Sequence, residues 1–359
     1  MNKRKRSILF AGGGTGGHLF PGIALARELL VRDGNAEIIF ATGRKQLEAA
    51  ILDKYSFAVK KIAVGKWSRG PVKYPLMAVS VCVSWIRSCL FILRKRIRTV
   101  VGLGGYSSFG PLLAAYVLHR NIYLLEQNSI PGRTNRFLSR FADAVFTQFE
   151  SSEIYFRHTD VRQYGNPVRR ELRDLERDPE ERFTLLITGG SQGALALNTM
   201  VIDALERIRF PENSRVIHVC GPDHYKYCSE LYADIRVDAD IELIGFQDDM
   251  AELYRKAAVC VCRAGATSIA EMSCAGIPMI MIPFPFATDD HQFLNAQEIV
   301  RAGGGICMRQ EETTPEKLAQ AVHSLISSGR RLSEMRENVR KTGKPEAAEL
   351  IADFICEHS

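Results

Sequence analysis

The sequence predicts an α/β protein built from two doubly wound, parallel-sheet domains. Three observations carry this expectation. The chain has 359 residues, and single cores stop growing near about 250–300 residues, so two domains of roughly 150–200 residues are expected. Short apolar runs alternate with helical patterns, as in parallel strands joined by crossover helices. A strand, a glycine-rich loop and a helix open both the first and the second half.

In the first half a strand is expected at residues 7–11. The loop Gly12-Gly13-Gly14-Thr15-Gly16-Gly17-His18 follows, then a helix over 21–31. Further strands are expected at 37–41, 99–103, 122–126 and 144–147, with an apolar stretch at 111–118. The second half restarts with a strand at 183–188, the loop Gly189-Gly190-Ser191-Gln192-Gly193 and a helix over 194–208. Strands at 216–220, 241–244, 258–262 and 278–282 continue it. Gly165-Asn166-Pro167 interrupts the pattern, which divides the chain into domains 1–165 and 166–342. The helical pattern at 345–357, within 343–359, has no strand of its own to cover and is expected to pack back on the first domain.

Hydrophobic residues make up 46% and charged residues 25%, the composition of an ordinary globular chain. The nine cysteines contain no CxxC pair and read as small buried hydrophobes in a reducing compartment. The apolar run at residues 8–11 ends at once in glycines, too short for the roughly 7–15 residues of a secretory signal, so a cytoplasmic location is expected. The net charge of +6 hides an asymmetry: residues 1–165 carry +15 and the remainder −9. Residues 54–125 contain no acid and twelve bases. Such a half seeks an anionic partner: nucleic acid, phospholipid or a phosphorylated substrate.

The two glycine loops suit a diphosphate, because glycine lets backbone approach a ligand and N–H groups at a helix start attract anions. An NAD site needs a carboxylate at the end of the next strand, where this chain has Phe40-Ala41-Thr42-Gly43-Arg44. The second loop lacks the Lys-Ser/Thr of an ATP-binding P-loop. Between 263 and 271, Thr267 and Ser268 can bond phosphate or helix N–H groups. Glu271, placed in the first helical turn, is either a cap or a carboxylate for ribose hydroxyls. Asp248-Asp249 and Asp289-Asp290 read as helix-start and loop residues rather than metal ligands, and no metal or cofactor is expected.

Seven motifs then stand in order: GGGTGGH at 12–18, GGYSSFGP at 104–111, EQNSIPGRTN at 126–135, GNPVR at 165–169, GGSQGA at 189–194, the 263–271 segment and HQFLNA at 291–296. Together they resemble the MurG family, the N-acetylglucosaminyltransferases of peptidoglycan synthesis that make lipid II from lipid I. The resemblance covers nearly the whole chain. It implies a GT-B fold, in which two Rossmann-like domains face each other across a cleft, and UDP-N-acetylglucosamine (UDP-GlcNAc) held mainly by the second domain. It further implies that Arg169 and Ser191 face the diphosphate and that the backbone at Gln247 meets uracil. Glu271 would hold the ribose, the loop from Ala266 through Thr267, Ser268, Ile269 and Ala270 the phosphates, and Gln292 and Asn295 the N-acetylglucosamine. Thr15, Gly16, Gly17, His18, Tyr106 and Asn128 would close over the sugar and receive the acceptor.

Three positions depart from the family pattern: Ala270 replaces a hydroxyl residue, His291 replaces a glutamine, and Gln247 replaces an aliphatic residue. The resemblance implies an inverting displacement by the acceptor 4-hydroxyl, which needs a base and a stabilised leaving diphosphate. His18 is a base by its near-neutral ordinary pKa, or else positions a phosphate or the acceptor. Glu126 is the alternative base, or a buried structural carboxylate.

Residues 76–93 are apolar apart from Ser80, Ser84, Arg87 and Ser88. Arg87 disfavours a membrane span. With Trp67, Trp85, Lys66, Arg69, Lys73, Arg94, Lys95, Arg96 and Arg98, this stretch is expected to lie on an anionic phospholipid surface. The expected partners are UDP-GlcNAc, lipid I and that surface, at the cytoplasmic face of the inner membrane, and no nucleic acid. A glycolipid synthase, a UDP-GlcNAc 2-epimerase or a silent binding subunit would share the fold.

Overall fold

A computed structural model describes residues 6–13, 16–43, 46–62, 73–173, 175 and 182–359. The chain divides into two units, Met1–Arg169 with Glu346–Ser359, and Arg170–Pro345. The division falls after Arg169 rather than at Gly165.

Apolar β-branched runs buried on both faces drive each unit, as parallel sheets require. The first contains β1 (Ser7–Gly12), α1 (Gly16–Arg32), β2 (Glu37–Thr42), α2 (Gln46–Lys54), β3 (Ala58–Lys61), α3 (Lys73–Lys95), β4 (Thr99–Gly104), α4 (Phe109–Val117), β5 (Asn121–Glu126), α5 (Arg133–Leu138), β6 (Ala144–Thr147) and β7 (Asp160–Arg162). Its strands are all parallel, in the order β3-β2-β1-β4-β5-β6-β7. Side chains alternate between faces along each strand. Phe10, Phe40, Val101, Leu103, Tyr123 and Phe146 form one core with α1, and Leu9, Ile39, Val100, Leu124 and Val145 form the other.

The second unit contains β8 (Thr184–Thr188), α6 (Leu195–Leu205), β9 (Arg215–Val219), α7 (Tyr225–Ala233), β10 (Asp240–Ile244), α8 (Met250–Lys256), β11 (Val259–Cys262), α9 (Ala266–Ala275), β12 (Met279–Met281), α10 (His291–Arg301), β13 (Gly305–Cys307), α11 (Pro315–Ile326) and α12 (Gly329–Thr342). Its strands are parallel in the order β10-β9-β8-β11-β12-β13. In both sheets the order reverses beside the opening strand, at β1/β4 and at β8/β11. Ligands of such sheets bind at the carboxyl ends of the strands at this reversal.

The last helix, α13 (Ala347–His358), lies on the first unit. Ile351, Ala352 and Ile355 enter the core that α1 covers, and Phe354 stands edge-on to Tyr123 and Phe146. Arg32 of α1 bonds Glu28 at 2.9 Å and both oxygens of Asp353.

Helix α1 begins at Gly16, earlier than the proline at 21 suggests, so His18 lies in its first turn. Pro21 falls in the second turn and removes the bond to the carbonyl of Gly17. Four cysteines are buried, Cys220, Cys228, Cys260 and Cys262, whereas Cys82 is exposed on α3. Trp85 is half-buried and packs against the core formed by Leu9, Ile39 and Val100. Trp67, Lys66 and Arg69 lie outside the described residues, as does the side chain of Lys73.

Candidate active site

In the first unit the loops after β1 and β4 touch through backbone. Gly12 (φ +137°) and Gly104 (φ +95°) both adopt positive φ, and a Cβ on Gly12 would stand 2.6 Å from the carbonyl oxygen of Gly104. Only glycine accepts both the angle and the approach. The half-buried His18 lies against Gly104: a Cβ there would stand 3.0 Å from its Cδ2 and 3.2 Å from its Nε2. Gly17 beside it is exposed and Gly16 buried. Thr15 lies outside the described residues. Tyr106 is exposed in the turn after Gly105. The buried carboxylate of Glu48 approaches the same loop: a Cβ on Gly13 would stand 3.3 Å from its Oε1.

Glu126 ends β5 and is buried, and its carboxylate organises the following loop. Oε1 accepts from the backbone N–H of Asn128 (3.0 Å) and from its Nδ2 (3.3 Å). Oε2 accepts from the N–H of Gly132 (3.1 Å) and from Nδ2 of Asn135 (2.9 Å). Burial pushes its pKa up, against the pull of these donors. A carboxylate occupied on both oxygens is an anchor for its loop rather than a base open to substrate. Half-buried Asn128 shares that anchor.

Arg169 belongs to the first unit, and its guanidinium lies 4.6 Å over the ring of Phe20 on α1. The stacking aims the cation while leaving the residue half-exposed.

In the second unit the loops after β8 and β11 flank the sheet reversal. Gly190 and Gly193 adopt positive φ, and the N–H of Gly193 donates to the Gly190 carbonyl at 2.9 Å. Ser191 is exposed at the tip. Helix α9 starts on Gly265, with no side-chain cap. Its own ladder begins where the N–H of Ile269 donates to Gly265 at 2.9 Å. The N–H groups of Ala266, Thr267 and Ser268 precede that ladder and point out of the helix start, where an anion is stabilised. Ile269 and Ala270 are buried and contribute packing instead.

Glu271 sits in the second turn of α9, not the first, which removes its capping role. It is buried and accepts from the Tyr254 hydroxyl at 3.1 Å. Asn295 is fully buried and donates to the Ala264 carbonyl at 3.3 Å, so it braces the loop before α9. Oε1 of Gln292 accepts from the N–H of Phe284 at 2.9 Å, which ties the oxygen end of its amide to the loop after β12. Gln247 is half-buried in the loop after β10, with its amide 3.4 Å from Glu252. Asp249 caps α8 by accepting from Ala251 at 3.1 Å, and Asp290 pairs with Arg309 at 3.2 Å.

Sequence reasoning missed the residues that brace this set: Asn135, Tyr254, Glu48 and Arg263. Buried Arg263 donates to the carbonyls of Ile282 (3.0 Å) and Pro283 (3.2 Å), and burial lowers its pKa to about 10. Asn135 and Arg263 stand at the ends of motifs set out above, but which groups they bond is fixed by the fold; Tyr254 and Glu48 lie outside every motif.

Residues 8–147 match the glycosyltransferase family 28 N-terminal domain and residues 184–351 the glycosyltransferase family 28 C-terminal domain. The chain is 38% identical to the UDP-N-acetylglucosamine–N-acetylmuramyl-(pentapeptide) pyrophosphoryl-undecaprenol N-acetylglucosamine transferase of Myxococcus xanthus, over 97% of this chain and 92% of that one. It is 36% identical to the protein of the same name from Geobacter sulfurreducens, over 96% and 97%. Among solved structures, Acinetobacter baumannii MurG superposes with a TM-score of 0.80 at 28% identity, over 98% of this chain and 99% of that one. A putative UDP-N-acetylglucosamine 2-epimerase from Listeria monocytogenes gives 0.71 at 16% identity, over 99% and 96%, a likeness of fold alone.

Proposed function

This chain belongs to glycosyltransferase family 28, and from that premise we propose that it transfers N-acetylglucosamine from UDP-GlcNAc to the 4-hydroxyl of the N-acetylmuramyl unit of lipid I, giving lipid II. The observation that carries this reading is the near-full-length identity to transferases named for that reaction. The two pairs of loops at the sheet reversals supply the chemistry that such a transfer needs.

The donor binds the second unit. The N–H groups of Ala266, Thr267 and Ser268, with Ser191, hold the diphosphate, and Glu271 accepts the ribose hydroxyls. The backbone at Gln247 meets uracil, and the amide nitrogen of Gln292 reads the sugar. Asn295 acts through the loop that it braces. On the first unit, Thr15, Gly16, Gly17, Tyr106 and Asn128 receive the acceptor. His18 takes the proton of its 4-hydroxyl. As the O4–C1 bond forms, the bond from C1 to the phosphate oxygen breaks, and configuration at C1 inverts. UDP leaves with its new charge stabilised by Arg169 and by the helix-start dipoles.

Helix α3 suits a lipid surface at the cytoplasmic face of the membrane. Val79, Val83, Ile86, Leu90 and Leu93 are exposed along one stripe, while Ser84 and Ser88 are buried. The inner face combines these serines with Trp85, Phe91 and Ile92, which pack on the core, and a Cβ on Gly110 of α4 would stand 2.3 Å from the Ser84 hydroxyl. The outer face is apolar, with exposed Arg87, Arg94, Lys95 and Arg96 on or beside the helix. Among the described residues no helix is long and apolar enough to cross a membrane. Such a face lies in the headgroup boundary, with its bases meeting anionic lipid.

A transfer assay with UDP-GlcNAc and a lipid I analogue tests the residue roles. His18→Ala and Glu271→Ala are expected to lose at least tenfold in kcat/KM. Normal rates for His18→Ala remove it as the base.

A further inference from the structure

The loop that follows β12 carries two phenylalanines whose rings the fold leaves largely uncovered. Phe286 is 82% exposed, the most of any large hydrophobic residue among those described, and Phe284 is 42% exposed. The two rings stand edge to face, with centroids 5.6 Å apart and planes at 72°. An aromatic ring stabilises a fold chiefly by the large apolar area that it buries. Most of that area is unused in Phe286 and much of it in Phe284, so packing alone gives no reason for the pair.

The pair is nevertheless held in place. The N–H of Phe284 donates to Oε1 of Gln292 at 2.9 Å. The guanidinium of Arg263, just past β11, lies 5.7 Å from the centre of the Phe284 ring, within reach of a cation–π contact. Arg263 is itself buried and tied to the carbonyls of Ile282 and Pro283. The rings thus stand at the carboxyl end of the second sheet, where ligands of such sheets bind, and on the backbone that Gln292 anchors. A pyranose offers a matching surface. Its ring C–H groups are slightly positive, and the face of an aromatic ring is negative. We propose that Phe284 and Phe286 form an aromatic corner that takes the C–H face of the donor N-acetylglucosamine, while Gln292 bonds its hydroxyls. The corner grips the sugar and leaves the nucleotide to the loops after β8, β10 and β11. The inference rests on UDP-GlcNAc being the donor.

The test has two arms, both on the full chain. In the first, calorimetry gives the affinities for UDP and for UDP-GlcNAc. Leucine keeps the apolar bulk and removes the ring, so the double variant Phe284→Leu/Phe286→Leu is expected to bind UDP-GlcNAc at least about fivefold more weakly than wild type, with UDP within about twofold. Phe286→Tyr, which keeps a ring, should bind both as wild type does. Unchanged UDP-GlcNAc affinity in the double variant overturns the proposal. So does an equal loss for UDP and UDP-GlcNAc, which would make the rings mere supports of the loop. In the second arm, proton NMR follows UDP-GlcNAc bound to wild-type protein. Stacking on an aromatic face should move the sugar ring protons upfield of their free positions. Absence of that shift overturns the proposal even if the leucine variant does not fold. Failure of wild type to bind UDP-GlcNAc at all would instead sink the donor reading, and the corner with it.

Discussion

The imidazole of His18 rests on the α-carbon of Gly104, close enough that a methyl group there would stand 3.0 Å from Cδ2 and 3.2 Å from Nε2. Gly104 also holds φ at +95°, a value that side-chain-bearing residues rarely adopt. The strand end thus acts as the seat of the ring.

Gly104→Ala both strains the turn and pushes the ring away. It is expected to lower kcat by at least tenfold, about 1.4 kcal/mol of transition-state stabilisation. UDP-GlcNAc affinity, measured by calorimetry, should stay within twofold of wild type, because the donor groups lie on the other unit. A variant with unchanged kcat would separate His18 from the chemistry.

Glu271 and Tyr254 form the second pair, 3.1 Å apart. Hydrogen bonds to a charged acceptor contribute roughly 1.5–3 kcal/mol. Glu271→Gln is therefore expected to weaken UDP-GlcNAc binding about tenfold to a hundredfold, and Tyr254→Phe, which removes this one bond, by a few fold. Equal affinity for wild type and Glu271→Gln would place the ribose elsewhere.

The second unit should lose stability in mild acid through His218. This ring is fully buried, with Nδ1 2.9 Å from the Tyr232 hydroxyl and Nε2 3.2 Å from Asn198 Oδ1. Asn198 Oδ1 can only accept, so Nε2 carries the proton and Nδ1 accepts from Tyr232. Burial lowers the pKa of His218 to about 3. Above the ordinary histidine value near 6.5 both folded and unfolded chains hold it neutral, and its contribution is fully present. As pH falls from about 6.5 toward 3, only the unfolded chain takes the proton, which removes up to roughly 1.4 kcal/mol per pH unit. Urea unfolding of wild type and His218→Gln across this range checks the slope. The variant, destabilised at pH 7, should lack the histidine part of the acid loss; identical slopes would contradict this account.

The apolar stripe of α3 gives a fourth expectation. Leu90 is 64% exposed, so Leu90→Glu and Ile86→Glu should leave folding intact. Sedimentation with vesicles containing anionic lipid should fall severalfold for the double variant, while transfer to a detergent-soluble acceptor stays near wild type. Undiminished sedimentation would move membrane contact to another surface.

The central strands were legible because burial on both faces writes itself as an apolar run, as at residues 99–103 and 183–188. The strands that escaped notice are edge strands. Ala58–Lys61 is mostly exposed and ends in two lysines, Asp160–Arg162 is three residues long and charged at both ends, and Gly305–Cys307 opens on glycine. The loops that carry the site were legible because glycines stand where positive φ and close backbone approach require them. Their braces were not. Asn135 meets Glu126 across a loop, Tyr254 meets Glu271 from another helix, and Asn295 meets Ala264 thirty-one positions away. A residue's type says what it can bond, and only the fold says what it faces. Glu271 was misplaced by one turn because α9 starts at Ala266 behind an uncapped glycine.

Product formation is the direct readout of the transfer. Wild-type protein is incubated with UDP-GlcNAc and a lipid I analogue, and the lipid product is analysed by mass spectrometry and by the configuration of its new linkage. One N-acetylglucosamine added in β configuration per UDP released is expected. UDP release without sugar on the acceptor, or an α linkage, would contradict it.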